Sequence, residues 1–268
     1  MNYDPIKHSL VNVFNKSAFS RKAFYKLLDL LLLRTWHVHK ELGKWAETAG
    51  DTPSILDAGM GFGQYTYYLS RLKPASNILA VDVKEDQISE CKDFFSKAAI
   101  RNVRFQFADL VQFQSADSYD LILSVDVMEH ILEDVQVFKN FYHSLKKDGM
   151  LLISTPSDQG GSDAHEDDAD SFIGEHVRNG YNINEIQEKL QSAGFTKMEA
   201  RYAYGTPGKI SWRLSMKYPI QLLGISKLFF VVIPFYYVLT YPFAFLLNYM
   251  DVKMKHPTGT GLVVKAWK

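Results

Sequence analysis

The 268-residue chain has one cysteine, Cys91, so it cannot form an intrachain disulfide. That excludes a disulfide-stapled secreted scaffold and suits a reducing compartment. Neither sign of charge is in excess. Thirty Lys and Arg stand against 30 Asp and Glu, so there is no overall basic field of the kind that marks a nucleic-acid binder. Internal repeats and low-complexity linkers are missing too. Residues 1–5, Met-Asn-Tyr-Asp-Pro, lack the basic-then-apolar layout of a signal peptide. The expected compartment is therefore the cytoplasm. The most conspicuous absence is local: residues 228–250 contain no charged side chain at all.

The charge that is present is unevenly spread. From Gly205 to the end there are eight basic residues and one acid, Asp251, leaving 22 basic and 29 acidic residues in 1–204. A basic element is thus joined to an acidic body.

The stretch S-I-L-D-A-G-M-G-F-G-Q at 54–64 carries most of the chemical information. A short apolar run predicts a buried strand. Asp57 follows, then Gly59, Gly61 and Gly63 at alternate positions. Glycines there let the backbone turn sharply and approach a ligand with no Cβ in the way. The helical pattern of Gln64–Leu72 places the ligand at a strand-to-helix crossover. Because the acid precedes the glycines, Asp57 would repel a pyrophosphate but suit a cationic amine. That points away from a dinucleotide and towards S-adenosylmethionine, whose methionine end carries an ammonium group.

Further strands end in polar residues in the same way. Residues 78–83 form an apolar run ending at Asp82-Val83, with Asp82 25 residues beyond Asp57. That is near the spacing of a ribose-binding acid. A third strand at 103–110 ends at Asp109-Leu110, and a fourth at 119–127 contains Asp126 and runs into Met128-Glu129-His130. A fifth spans 149–156. On these residues the chain resembles the class I S-adenosylmethionine-dependent methyltransferases. The segment 127–131 is similar to the corresponding stretch of the ubiquinone-biosynthesis-type O-methyltransferases and their relatives. The resemblance implies an α/β, Rossmann-like fold: a seven-stranded, mostly parallel sheet with an antiparallel last strand, N-terminal helices and, here, a helical insert between strands six and seven. It implies S-adenosylmethionine as cofactor, with Asp57, Gly59, Gly61, Asp82, Val83, Asp109, Leu110 and Asp126 as its contacts. Within that set Asp109 would face the adenine amino group.

Four segments follow. Residues 1–50 form an N-terminal helical cap, with helices expected at 20–33, capped by Ser20, and at 35–48. Arg21, Lys22, Lys26 and Asp29 would make the polar side of the first helix. In the resembled family such helices close over the cofactor and line the acceptor pocket. Residues 51–204 form the cofactor-binding core, 205–260 the insert, and 261–268 the last strand. Cys91 reads as a packing residue. His37 and His39, two apart, cannot share a helical face. The acid- and His-rich loop 157–180 has irregular ligand spacing and reads as a solvated flap, so no metal site is expected. Segments like 175–181 lie near the acceptor in related small-molecule and lipid methyltransferases, which makes His176 and Arg178 candidate substrate contacts.

The uncharged run at 228–250 is long enough for a membrane span. Topology opposes one, because a single crossing would strand the seventh strand on the far side. Pro234 and Pro242 are expected to interrupt the helix. An excursion in the membrane interface, an apolar cover for the acceptor, or a hairpin packed on the sheet or on a second subunit all remain open. Tyr236, Tyr237, Tyr241 and Tyr249 suit an interface. Six flanking basic residues at about 1 kcal/mol each would contribute at most about 6 kcal/mol at an anionic surface.

The leading expectation is a methyltransferase acting on an apolar or lipid-like small molecule, by O-methylation with His130 as general base. The alternatives are a non-catalytic protein of the same fold that binds cofactor or lipid, a methyltransferase on a soluble molecule whose insert mediates dimerisation, and a decarboxylase or cyclase on the same cofactor fold.

Overall fold

Apolar runs alternating with amphipathic stretches produce parallel strands joined by helical crossovers. The computed structural model describes residues 17–160, 177–226 and 228–268. Its strands are β1 (Ser54–Ala58), β2 (Asn77–Asp82), β3 (Val103–Phe107), β4 (Tyr119–Val125), β5 (Leu145–Pro156), β6 (Lys197–Ala203) and β7 (Gly261–Trp267). They form one sheet in the order β3-β2-β1-β4-β5-β7-β6. β7 runs antiparallel to both β5 and β6, while the pairs from β3 across to β5 are parallel. The fold class is the expected one. Between β1 and β4 the order reverses, and such a switch point leaves a crevice at the strands' carboxyl ends.

The helices are α1 (Ala18–Leu31), α2 (Leu33–Thr48), α3 (Gln64–Leu72), α4 (Glu85–Lys97), α5 (Asp134–Ser144), α6 (Ile183–Ser192), α7 (Thr206–Trp212), α8 (Tyr218–Ile225) and α9 (Phe229–Lys253). Alternate strand residues bury on opposite faces. Leu56, Ile122, Leu151 and Val264 pack with Phe138, Phe141, Ile186 and Phe195. Ile55, Leu121, Leu152 and Val263 pack with Val38, Leu42 and Leu69.

Several boundaries differ from expectation. Ser17, not Ser20, caps α1, and Ser20 completes the capping box from the N3 position. Arg21, expected on a solvated side, is buried. β3 ends at Phe107, so Asp109 lies in the following turn, and β6 ends at Ala203 because Tyr204 takes φ +58°. His130 closes a short 3-10 turn, Met128–His130, and α5 starts at Asp134.

The insert is a helical hairpin. The outgoing arm is α7, a π-helical stretch at Arg213–Lys217, and α8; α9 returns beside it. Pro219 explains the π stretch. Lacking an N–H, proline cannot bond to the carbonyl four residues back, and its ring crowds that carbonyl. The Tyr218 N–H bonds instead to the Arg213 carbonyl. The carbonyls of Leu214 and Ser215 are then taken by the hydroxyls of Tyr236 (2.8 Å) and Tyr237 (2.7 Å). The Tyr241 hydroxyl bonds the Leu30 carbonyl at 3.2 Å. Three of the four tyrosines read as interface anchors therefore bind backbone within the protein. Contrary to expectation, Pro234 and Pro242 lie inside an uninterrupted α9.

Candidate functional site

The chain leaves β1 through three glycines, all with positive φ: +83° at Gly59, +51° at Gly61 and +74° at Gly63. Their surroundings differ. A Cβ on Gly59 would lie 2.3 Å from Val127 Cγ2, and one on Gly63 would lie 2.9 Å from Cys91 Sγ. At Gly61 the nearest atom would be Gln87 Oε1, 3.9 Å away. The outer glycines serve close packing, and the middle one turns bare backbone towards the crevice. Asp82, at the end of β2, accepts the Gly61 N–H at 2.9 Å and the Lys84 N–H at 3.0 Å. It therefore organises the glycine loop as well as lining the crevice.

Asp57 lies beneath the loop and is buried, accepting a hydrogen bond from Thr66 Oγ1. Burial pushes its carboxyl up to about 7, helped by the charge of Asp82 and opposed by the Thr66 hydroxyl. The folded value lies above the ordinary 3.8, so the unliganded fold loses stability as pH rises between the two. A cation bound above the loop offsets that loss by favouring the ionised form. S-adenosylmethionine is expected to bind about tenfold more tightly at pH 8 than at pH 6. Calorimetry across that range tests this. A flat profile, or one unchanged in Asp57→Asn, would remove Asp57 from the site.

The N-terminal helices hold this loop in place. The Arg21 guanidinium donates to the Phe62 carbonyl at 2.9 Å, as does the Tyr25 hydroxyl. Gln64 Nε2 donates to Asp29 Oδ1 at 2.7 Å. Cys91 is buried behind the loop, and its thiol is pushed up to about 12 by burial, so it is a packing residue.

The remaining expected contacts line the same edge of the sheet. Val83 is exposed after β2, and Asp109 accepts the Val111 N–H at 2.9 Å in the turn after β3. Leu110 is buried, its carbonyl held by Asn140. Asp126 takes φ +51° at the exit of β4 and pairs with Arg34 of α2. In the turn that follows, His130 is exposed while Glu129 points inward and accepts Thr155 Oγ1–H at 3.0 Å. Burial raises the Glu129 carboxyl.

The Arg178 guanidinium pairs with Asp134 and donates to the Ile131 carbonyl at 2.6 Å, over the ring of Tyr181. Asp134 also receives Lys189 Nζ and the Tyr181 hydroxyl. This partly buried network braces α5 against the chain leading into α6, and the Arg178 guanidinium is engaged in it. His176, with most of the acidic loop, lies outside the described residues.

A cavity of about 150 Å³ opens beside Asp126. Arg34 and His37 of α2 line it, with Ser154–Pro156 at the end of β5, Ala203 and Tyr204, and residues 260–263. One wall is thus the base of the insert. Arg34, Thr155 and Tyr204 were not singled out in the sequence. Arg34 lies in the predicted gap between two helices, and no local pattern marks it.

A family described as a methyltransferase domain matches residues 50–201. A malonyl-[acyl-carrier protein] O-methyltransferase of Bacillus cereus is 32% identical over 142 residues, covering 53% of this chain and 50% of that protein. Phosphoethanolamine N-methyltransferase 1 of Triticum aestivum is 28% identical over 148 residues, 53% of this chain and 28% of that one. The matches thus span half or less of these curated relatives. Phosphoethanolamine N-methyltransferase 2 of Haemonchus contortus, solved with S-adenosyl-L-methionine, matches at a TM-score of 0.63 and 16% identity, over 97% of this chain and 59% of that one. At that identity the likeness is one of fold.

Proposed function

Because the chain belongs to the methyltransferase-domain family of class I, S-adenosylmethionine-dependent enzymes, we propose that it methylates an oxygen of an apolar or lipid-like small molecule. The observation that carries this reading is the cavity beside Asp126, which runs from the glycine-loop edge of the sheet to the base of the apolar insert. O-methylation is favoured over N-methylation by the malonyl-[acyl-carrier protein] O-methyltransferase of Bacillus cereus, at 32% identity against 28% for the N-methyltransferase of Triticum aestivum. The single buried thiol suits the cytoplasm as its compartment.

The cofactor supplies a methyl group already activated on a sulfonium. This chain's residues must therefore bind, align and exclude water. Asp82 is suited to the ribose hydroxyls, with Val83, Asp109 and Leu110 along the nucleoside and Asp57 below the ammonium group. Asp126, already paired with Arg34, stands between the glycine loop and the acceptor cavity. Arg34 lines the cavity, and its guanidinium brings a fixed positive charge there, suited to an anionic or polar head. An apolar tail would then lie towards the insert. For a hydroxyl acceptor, His130 would take the proton as the oxygen attacks. It is exposed in the turn after Asp126 and does not line the cavity, so the attacking oxygen would have to lie outside the cavity, on the His130 side of Asp126.

The reading is tested by incubating the protein with methyl-labelled S-adenosylmethionine and a lipid extract. Label is expected in the organic phase, on an oxygen as judged by ester or ether chemistry. His130→Ala should lower kcat about 100-fold or more with cofactor affinity unchanged. Label confined to water-soluble or N-methylated products would overturn the acceptor class. A variant at wild-type rate would remove His130 from the reaction.

A further inference from the structure

The hairpin carries an apolar surface that methyl transfer does not require. Leu228, Val231, Phe235, Val238, Leu239 and Phe243 of the returning arm are 67 to 79% exposed. Spacings of three and four put them on one face, and Leu246, Tyr249 and Met250, also exposed, continue it. By length and composition α9 could cross a membrane, yet only 6% of its most apolar window is buried in the protein. A core helix would show the reverse.

We propose that this face lies in the plane of a lipid bilayer surface bearing anionic headgroups, as a monotopic attachment. A crossing is ruled out by the outgoing arm. It carries Lys209, Arg213 and Lys217, so only Tyr218–Ile225 is free of charge next to the tip. Eight helical residues reach about 12 Å, against about 30 Å of hydrocarbon. Insertion of the tip alone would leave the half of the apolar stripe nearest the sheet in water. An in-plane attachment covers the stripe along its full length of about 33 Å. It also accommodates the charges, because Lys227 precedes the stripe in sequence and Lys253 and Lys255 follow it. A helix in the interface can keep such side chains at headgroup level. The arms hold each other through Tyr236, Tyr237 and Ser211, so the attachment is preformed. The insert's single acid, Asp251, is fully buried and opposes no headgroup. The proposal is independent of the acceptor's identity.

Flotation of the full chain with vesicles of phosphatidylcholine, alone and mixed with phosphatidylglycerol, is the test. The protein should float with the anionic vesicles and be released severalfold by salt. Leu239→Asp combined with Phe235→Asp should lower partitioning at least tenfold. Both side chains are exposed, so melting temperature and cofactor binding should be unchanged. Spin labels at Val231→Cys, Leu239→Cys and Leu246→Cys then report depth, since the buried Cys91 thiol does not compete. Equal depth at the three positions supports the in-plane arrangement. Depth increasing from 246 to 231 overturns it in favour of tip-first insertion. Absence of flotation overturns the membrane altogether, and dimers cross-linked through position 239 would then assign the face to a second copy of the chain.

Discussion

Gly61→Val is expected to abolish S-adenosylmethionine binding while leaving the chain folded. Two costs fall on the same residue. At φ +51° a β-branched side chain is strained by at least about 1–2 kcal/mol. The new atoms also point into the crevice, because the nearest protein atom to a Cβ there is 3.9 Å away. The fold tolerates the side chain because nothing of the fold occupies that space, whereas the cofactor needs the backbone bare at that point. The Gly61 N–H that reaches Asp82 would shift as well, disturbing the carboxylate suited to the ribose. Gly59→Ala separates packing from binding. Its Cβ would collide with Val127, so its effect should appear as a lowered melting temperature. Calorimetry and thermal melts on both variants are the measurements. If Gly61→Val binds cofactor within threefold of the parent, the loop is an ordinary turn and the cofactor lies elsewhere.

The positions legible in the sequence were those where one residue type answers one local need. Asp57, the glycines, Asp82, Asp109 and Asp126 stand at strand ends, and the sheet gathers those ends along one edge whatever lies between them. The same logic cannot show a partner that is distant in sequence. Arg178 sits in a segment resembling acceptor-binding ones, and Asp134, 44 residues earlier, engages its guanidinium. Arg21 has the spacing of a solvated helix face, yet the Phe62 carbonyl, 41 residues on, draws it inward. In the insert, proline was read by its cost of about 3 kcal/mol in a helix interior. Tertiary packing can outweigh that cost, and here it does. Pro219 changes the turn type, two tyrosines from the other arm take the freed carbonyls, and α9 runs on through Pro234 and Pro242. The inner face of the outgoing arm consists of small residues, Gly208, Ser211, Ser215 and Pro219, which leave no apolar periodicity to mark it. The hairpin was one of the arrangements left open for the insert, and the uncharged run alone did not single it out.

Asp251→Ala is expected to destabilise the junction between insert and sheet by about 3 kcal/mol or more, because each buried donor left without its acceptor costs about 1–3 kcal/mol. The carboxylate is fully buried and gathers four elements. His37 Nε2 of α2 donates to Oδ1 at 2.8 Å, the Tyr204 N–H at 3.1 Å, and the Gly208 N–H of α7 to Oδ2 at 3.0 Å. His256 lies 3.2 Å from Oδ2. Burial pushes the carboxyl up, but the His37 hydrogen bond, the two imidazoles and the Tyr204 N–H outweigh it and hold the group below its ordinary 3.8. Its contribution is thus present above that value and lost as acid protonates it. His37 acts in a higher window. Burial lowers it below 6.5, and Arg201 points a donor at Nδ1 from 3.0 Å, which fixes a neutral ring that donates through Nε2. The unfolded chain takes up a proton near pH 6.5 that the folded chain refuses, so stability falls as pH drops below 6.5. In Asp251→Ala, His37 and the Tyr204 and Gly208 N–H groups lose their common acceptor. Proteolysis should then cut within 205–260 while the β1–β5 core stays intact. Tyr204 lines the cavity proposed for the acceptor, so acceptor KM should rise with cofactor affinity unchanged. A variant with a parental melting curve and an uncut insert would show that the hairpin is held by its apolar contacts with α2 alone.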